Sequence, residues 1–484
     1  MQKRLYSIFI IVFLCVIGII LSMFFPSVAD GYTIILFFSL SAAILLTLYL
    51  LCRVEISDKT YLFMTAALIF LVFLLQLRDL KKGLFMQKTG DHEAVMTGVK
   101  ELVLFGHFTE SVWYYQMHHH QLFTTLFYAV LNRLFIYMGI EGPVSHTATY
   151  IANALLTDAG ILLFFFGIRR IANSRTAFLT SLLFALNLGY YGAVRRVYPH
   201  QLSVVFACVA IFILCRLVSE ERRIRRVILT ILFGCAAALA MSVTGIFAIA
   251  LPAVFIYILI CGKRMRQTLT ELAGLLIGFV LTTAIISGVY SALGVLDKAN
   301  AKNMRLPYTH WIAMGLSENG VYLEDDFQAM INADTKDAKS AYAITAIKER
   351  LLSRGFFESL RFFYGKEKVI WIGGHYGGFK ILSLSTSKYN VAYRLLLMTM
   401  IFASVLKLLL FGGRDKRDVF TAVYIWIFGI FLFFLIWEIS PTYLFSSFPI
   451  LLFASSRFLV DAEQFMLNSN TKHGARPSGG AEPR

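Results

Sequence analysis

Long apolar runs separated by short charged ones set the plan of this chain. The runs fall at roughly 5–25, 33–52, 60–77, 146–169, 176–193, 199–216, 227–243, 245–261, 268–293, 391–411, 419–436 and 441–458. Each approaches the roughly 20 residues that a helix needs to cross the hydrocarbon core of a bilayer. The pattern predicts an all-α polytopic membrane protein with about twelve transmembrane helices. Two stretches lack it, and loops of such length are commonly functional. The predicted organisation is N-terminal membrane helices over 1–77, a loop with interfacial helices over 78–145, central membrane helices over 146–293, a second loop subdomain over 294–390, C-terminal membrane helices over 391–460 and a tail over 461–484. The segment QLFTTLFYAVLNRLF, from Gln121 to Phe135, is apolar but broken by Asn132 and Arg133. It is predicted to lie as a helix in the outer interface.

Charge orients the plan. The net charge of +16 would suggest a nucleic-acid partner in a soluble domain. With 58% hydrophobic and only 15% charged residues, the chain is too apolar for one. Its basic residues sit instead in short loops, Arg169 to Arg175, Glu220 to Arg226, Lys263 to Arg266 and Arg414 to Arg417. By the positive-inside rule these loops and both termini are cytoplasmic, and the two long segments are outside. The six cysteines (Cys15, Cys52, Cys208, Cys215, Cys235 and Cys261) avoid both long segments, so no disulfide framework is expected. The N-terminus, MQKR before an apolar run without a small-residue cleavage site near Phe25, reads as an uncleaved first membrane helix. The tail from about Asn468 has the composition of a disordered end.

Ionisable groups kept beside lipid cost free energy and commonly mark a working site. The first outer segment holds GDHEAVMTGVKELVLFGHFTESVWYYQMHHHQL, from Gly90 to Leu122. Asp91 and Glu93 suit general-base work on an incoming hydroxyl. Asp91 equally suits the N-cap of a helix starting at His92, with Glu93 in the first turn, and a cap would fix the carboxylate in place. His118, His119 and His120 suit a metal, a phosphate or sugar hydroxyl, or a plain interfacial position. Three adjacent helical residues point in different directions, so all three cannot hold one ion. Arg195 and Arg196, in YYGAVRRVYPHQ, lie on the predicted outer side against the charge rule. Paired guanidiniums suit phosphate oxygens or lipid headgroups. In the second segment, LPYTHWIAMGLSENGVYLEDD and VIWIGGHYGG supply His310, Trp311, Trp371 and His375. Aromatic faces of this kind stack on sugars or anchor at the interface. Glu324, Asp325 and Asp326 read as a solvated acidic edge.

Together these motifs resemble the GT-C class of integral-membrane glycosyltransferases, which use polyprenyl-phosphate sugars. The resembling parts begin with the acidic motif Asp91-His92-Glu93-Ala94, followed by an amphipathic stretch to Gly106-His107-Phe108. His119-His120-Gln121-Leu122 stands where the family has a short polar motif, here without its prolines. A helix with the early Asn153 runs to the basic loop Arg169 to Arg175, and an exterior turn follows from Arg195 to His200. PYTHWIAMGLSENGVY and KEKVIWIGG are similar to bacterial wall-polysaccharide members. The resemblance extends from about Tyr61 onward, and the hairpin at roughly 5–52 departs from the simplest family pattern.

The resemblance implies an inverting transfer of a sugar from a polyprenyl-phosphate donor to a cell-envelope glycan or glycopolymer, on the outer face of the plasma membrane. Asp91, with Glu93 beside it, would be the catalytic base. Arg195 and Arg196 with His118, His119 and His120 would hold the leaving phosphate. His310, Trp311, Trp371 and His375 would cover the cavity and select the acceptor. No cofactor is implied, with a divalent metal as the alternative. The rival readings are an envelope polysaccharide polymerase, relying on arginines in two exterior loops, and a lipid-linked glycan flippase or transporter. The latter expects charges within membrane helices and repeated, broken segments. Asp158 is the clearest helix-interior acid. The topology itself is testable: a cysteine placed near Ser317 is expected to react with an impermeant thiol reagent in intact cells. Reaction only after lysis would invert the orientation.

Overall fold

The structure, a computed structural model, describes residues 15–16, 18–20, 31–51, 56–80, 90–139, 146–187, 189–194, 199–262, 264–295, 301–372, 386–411, 419–440 and 443–474. Among the described residues it is all helix, without a strand. Seven helices are long and apolar enough to cross a membrane: Asp58–Arg78, Thr149–Ile171, Gln201–Val218, Arg223–Val243, Met265–Ala292, Val419–Ile436 and Tyr443–Asp461. The all-α polytopic class is therefore as expected, while the count of twelve is not reproduced among the described residues. Part of the difference has a local cause. The run expected at 176–193 is broken: a helix over Ser174–Ala185 stops, and the Asn187 side chain accepts from the Gly189 backbone N–H at 3.1 Å before a short turn of helix at Gly189–Ala193. The run at 245–261 begins as a tight turn over Gly245–Ile249 and becomes α-helical only at Ala250–Cys261. Most of the run at 5–25 lies outside the described residues, though Val16 and Ile20 pack into the main core.

Call Arg223–Val243 α1 and Met265–Ala292 α2. These two helices make the closest packing in the bundle, and glycines permit it. Gly274 meets Val227 and Thr230, Gly278 meets the backbone of Ile231, and Gly234 meets the backbone of Leu275 and Phe279. Contact positions advance together along both helices, so α1 and α2 run parallel and the chain between them returns across the bundle. Gly274-Leu275-Leu276-Ile277-Gly278 is a small-xxx-small pattern, which lets helix backbones approach in lipid where no hydrophobic effect drives association. At the basic end, Arg226 grips Glu271 with two bonds of 2.7 and 3.0 Å and donates to the Leu217 carbonyl at 2.8 Å. A buried acid is tolerated there because a guanidinium fork matches a carboxylate.

The segment predicted to be interfacial forms a helix, α3, over Leu122–Tyr137. It is not among the seven spans and packs on α4, Gly90–Leu104, where Val95, Val99, Leu102, Tyr128 and Ala129 form a small core of their own. The second long segment is also helical. It comprises α5 over Tyr308–Gly315, α6 over Glu324–Asn332 and α7 over Lys336–Ile372. Asp326 is not the solvated edge expected: it is 1% exposed and paired with Arg350 by two bonds of 2.8 Å. Arg350 and Arg354 also donate to the carbonyls of Ala313, Leu316 and Ser317 at the end of α5. Ser317 is itself buried, and its neighbours Glu318 and Asn319 are the exposed positions for a label. α7 is broken at Gly355, whose φ of 65° suits glycine. Its far end enters the main core through Ile370, Trp371 and Ile372, well before residue 391.

Replacing Gly278 by leucine should force α1 and α2 apart. Overpacking of this kind costs about 1–3 kcal/mol, so the detergent-solubilised variant is expected to melt several degrees lower by fluorescence-detected size exclusion. An unchanged melting point would refute the close packing.

Candidate active site

The site is assembled where α4, the loop after it, α5 and the end of the Val419–Ile436 span, α8, converge. The loop is ordered by Glu101, an acid that sequence reading passed over. It is 5% exposed and accepts from the backbone N–H groups of Thr109 and Glu110, both at 2.9 Å, and from the Ser111 hydroxyl at 2.6 Å. Burial works against its charge, but these bonds, led by Ser111, hold its carboxyl below the usual range. The loop so fixed delivers a short helix at Val112–Met117, and Tyr114 on it donates to Asp91 Oδ1 at 2.8 Å.

Asp91 is in the first turn of α4, which starts at Gly90, two residues earlier than the capping alternative required. Its carboxylate suits that position electrostatically. Glu93, on the same turn, is exposed. His118 extends the Tyr114 side: its ring lies 4.8 Å from Tyr114 and 6.2 Å from Trp311. Burial lowers its basicity, against the pull of the Asp91 charge.

Beside this group opens a cavity of about 460 Å³. Its wall is largely apolar, with Ala238, Met241, Ile246, Ile286 and Phe433 in it. Its polar lining includes His119, His120, Arg305, Tyr308 and Tyr443. Burial brings His119 down to about 4, helped by the charge of Arg305. His120 also falls to about 4 through burial and His118, with Asp91 opposing. Near neutral pH these imidazoles are uncharged, each able to donate one hydrogen bond and accept another. The three histidines thus part company, His119 and His120 on the cavity wall and His118 toward Asp91. Among the described residues no three metal-ligating side chains come together.

The expected acceptor group divides more sharply. Trp311 lines the cavity, stacked 6.4 Å from Trp437. His310 is fully buried behind it, 5.2 Å from the Trp311 ring, and burial takes it to about 4. Trp371 lies elsewhere: it is fully buried in the bundle core and donates to Glu367 at 2.6 Å. The motif around it looks like a loop in sequence, but α7 carries it inside. Arg195, Arg196 and His375 lie outside the described residues. The neighbours of the arginine pair, Val194 and Pro199, are described. Val194 accepts at its carbonyl from Asn153 at 3.0 Å, and Pro199 lines the cavity. Asn153 in turn accepts from the Tyr128 hydroxyl of α3. Asp158, the helix-interior acid, is buried in the Thr149–Ile171 span.

Three further residues have no signature in the sequence beyond an isolated charge. Arg305 lines the cavity and lies against Tyr308, 5.8 Å from its ring. Lys366 donates to the carbonyls of Gly315, Leu435 and Trp437, and burial brings it to about 8. Glu438, in the turn after α8, accepts from the hydroxyl of Tyr443.

The fold is that of an integral membrane protein. Residues 107–380 match a family profile described as a conserved hypothetical integral membrane protein, and the chain belongs to that family. No curated protein matches the sequence. Among solved structures, it is similar to the archaeal oligosaccharyltransferase AglB from Archaeoglobus fulgidus in complex with an inhibitory peptide and a dolichol-phosphate. The TM-score is 0.42 at 11% identity, covering 87% of this chain and 52% of that one. An oligosaccharyltransferase structure from the same organism, tethered to an acceptor peptide, gives 0.34 at 10% identity, covering 86% and 58%. The chain spans little more than half the length of these proteins, and no residue role is taken from them.

Replacing Glu101 by glutamine should release the loop from Gly106 to Ser111. The lost charge-assisted bonds are worth about 1–3 kcal/mol. Because the folded carboxyl lies below its free value, its contribution is present above the free value and fades as pH falls through the folded one. Hydrogen exchange at Thr109 to Ser111 should therefore speed up in the variant at pH 7, whereas the wild type loosens only in acid. Equal exchange at pH 7 would refute the role.

Proposed function

We propose that the chain is an inverting glycosyltransferase that moves a sugar from a polyprenyl-phosphate donor to a hydroxyl of an envelope glycan on the outer face of the membrane. The observation that carries this is the placement of Asp91. A carboxylate fixed by a tyrosine stands beside a cavity whose wall is largely apolar and whose lining includes neutral imidazoles and a guanidinium. An isoprenoid chain suits the apolar wall, and a phosphate suits Arg305 with His119 and His120.

In this reading the acceptor oxygen attacks the anomeric carbon while the carbon–oxygen bond to phosphate breaks, its electron pair leaving on the phosphate. Asp91 takes the acceptor proton, and Tyr114 keeps the carboxylate aimed. Charge developing on the phosphate is met by Arg305, and by Arg195 and Arg196, which follow Val194 in the sequence. Such pre-placed charge lowers the barrier without reorganisation. The reading assigns this compensation to guanidinium groups and requires no cofactor. Trp311 and Trp437 offer ring faces to a sugar.

Asp91→Asn should leave a folded, membrane-inserted protein and lower transfer by at least about a hundredfold, the low end of what a positioned base contributes. The check is mass spectrometry of envelope glycans from cells expressing either form at matched level. Loss of one sugar substituent from a full-length polymer is the expected result. Shortened polymer with intact substituents would point to a polymerase, and no change would defeat the enzyme assignment.

A further inference from the structure

Glu438 is an acid held at the end of a membrane span, where an ionisable group is costly to keep. Every neighbouring tether fixes its backbone or its carboxyl. The Trp437 carbonyl accepts from Lys366 at 2.7 Å, the Ile439 N–H donates to the Gly320 carbonyl at 2.6 Å, and Tyr443 donates to the carboxyl itself. Tyr443 and Trp437 both line the cavity. A run of ring contacts, Tyr114 to His118, His118 to Trp311 and Trp311 to Trp437, leads from Asp91 to the residue before Glu438. The two carboxyls are within electrostatic reach of each other.

We propose that Glu438 is the second carboxyl of the site and binds the acceptor: an acceptor sugar lies on the Trp311–Trp437 wall with one hydroxyl at Asp91 and a neighbouring hydroxyl at Glu438. This rests on the transferase reading and specifies its acceptor as a sugar with adjacent hydroxyls. The groups facing Glu438 are Tyr443, Asp91 and Lys366. Burial raises its carboxyl, the Tyr443 bond opposes this, the Asp91 charge adds to it and Lys366 opposes it, with a net rise. A carboxyl oxygen can accept from a sugar hydroxyl, as an amide oxygen can. Proton transfer stays with Asp91, and Glu438 takes no part in it beyond holding the acceptor.

The test uses purified full-length protein in nanodiscs, a panel of synthetic farnesyl-phosphate monosaccharides as donors and methyl glycosides as acceptors, with farnesyl phosphate release as readout. Glu438→Ala should raise the acceptor KM about tenfold or more, the loss of roughly one good hydrogen bond to a sugar, with a smaller effect on kcat. Glu438→Gln should recover most of the acceptor affinity. Equal acceptor KM in all three forms, or a glutamine variant as weak as the alanine one, would overturn the proposal. So would an equal loss of donor affinity, which marks a merely structural role.

If the wild type consumes none of these donors, the transferase reading fails, and the pairing is then decided by infrared titration of carboxyl bands. The Glu438 band, identified by its loss in Glu438→Gln, should titrate at lower pH in Asp91→Asn because a negative neighbour has gone. An unshifted band would overturn the pair.

Discussion

Lys366 has almost no contact with water, and it donates to three backbone carbonyls on two different parts of the chain. Gly315 ends α5 of the outer subdomain, while Leu435 and Trp437 end the membrane span α8. Both are helix C-termini, where carbonyls lack partners within the helix and carry partial negative charge. One ammonium thus satisfies both ends and holds them together. The approach is close enough that a side chain at Gly315 would collide with the backbone at Ile436 and Trp437. The relative placement of Trp311, on α5, and Trp437, just past α8, depends on this junction. Removing the amine would leave buried carbonyls unpaired at about 1–3 kcal/mol each, and the aromatic wall would lose its register.

The same principle recurs deeper in the bundle, in neutral form. Asn132 donates to the Tyr128 carbonyl and to Thr149, Tyr128 donates to Asn153, and Asn153 donates to Val194. A polar side chain in an apolar layer is costly alone and stabilising when its partner is fixed. This chain of bonds runs from α3 to Val194.

What the sequence made legible follows from length scales. A membrane span needs many apolar residues in succession, so α1, α2 and α8 could be read directly, and the apolar-but-interrupted stretch of α3 was separable from them. Asp91, His119, His120 and Trp311 were also legible, because polar and aromatic residues clustered between spans depart from the local background. Single residues acting through backbone groups were not. Glu101, Lys366 and Glu438 each look like an isolated charge, and their roles exist only once distant carbonyls or N–H groups arrive beside them. Trp371 misled for the converse reason: flanking glycines and a histidine suggest a loop, but burial depends on where α7 points. Asp326 misled likewise, since an acidic triplet reads as solvated until Arg350, a helix away, is folded onto it.

The electrostatics of the cavity divide labour in a way that composition alone does not suggest. Buried imidazoles without a net positive charge would orient the phosphate of the proposed donor but not balance its charge. Charge balance has to come from groups that stay protonated in a partly apolar setting, and guanidinium does so where imidazole and even the Lys366 ammonium are pulled down by burial. Arginines at the polar side and histidines on the wall are therefore not interchangeable here. An apolar wall, neutral imidazoles and a guanidinium lie close to one carboxylate that Tyr114 holds in place.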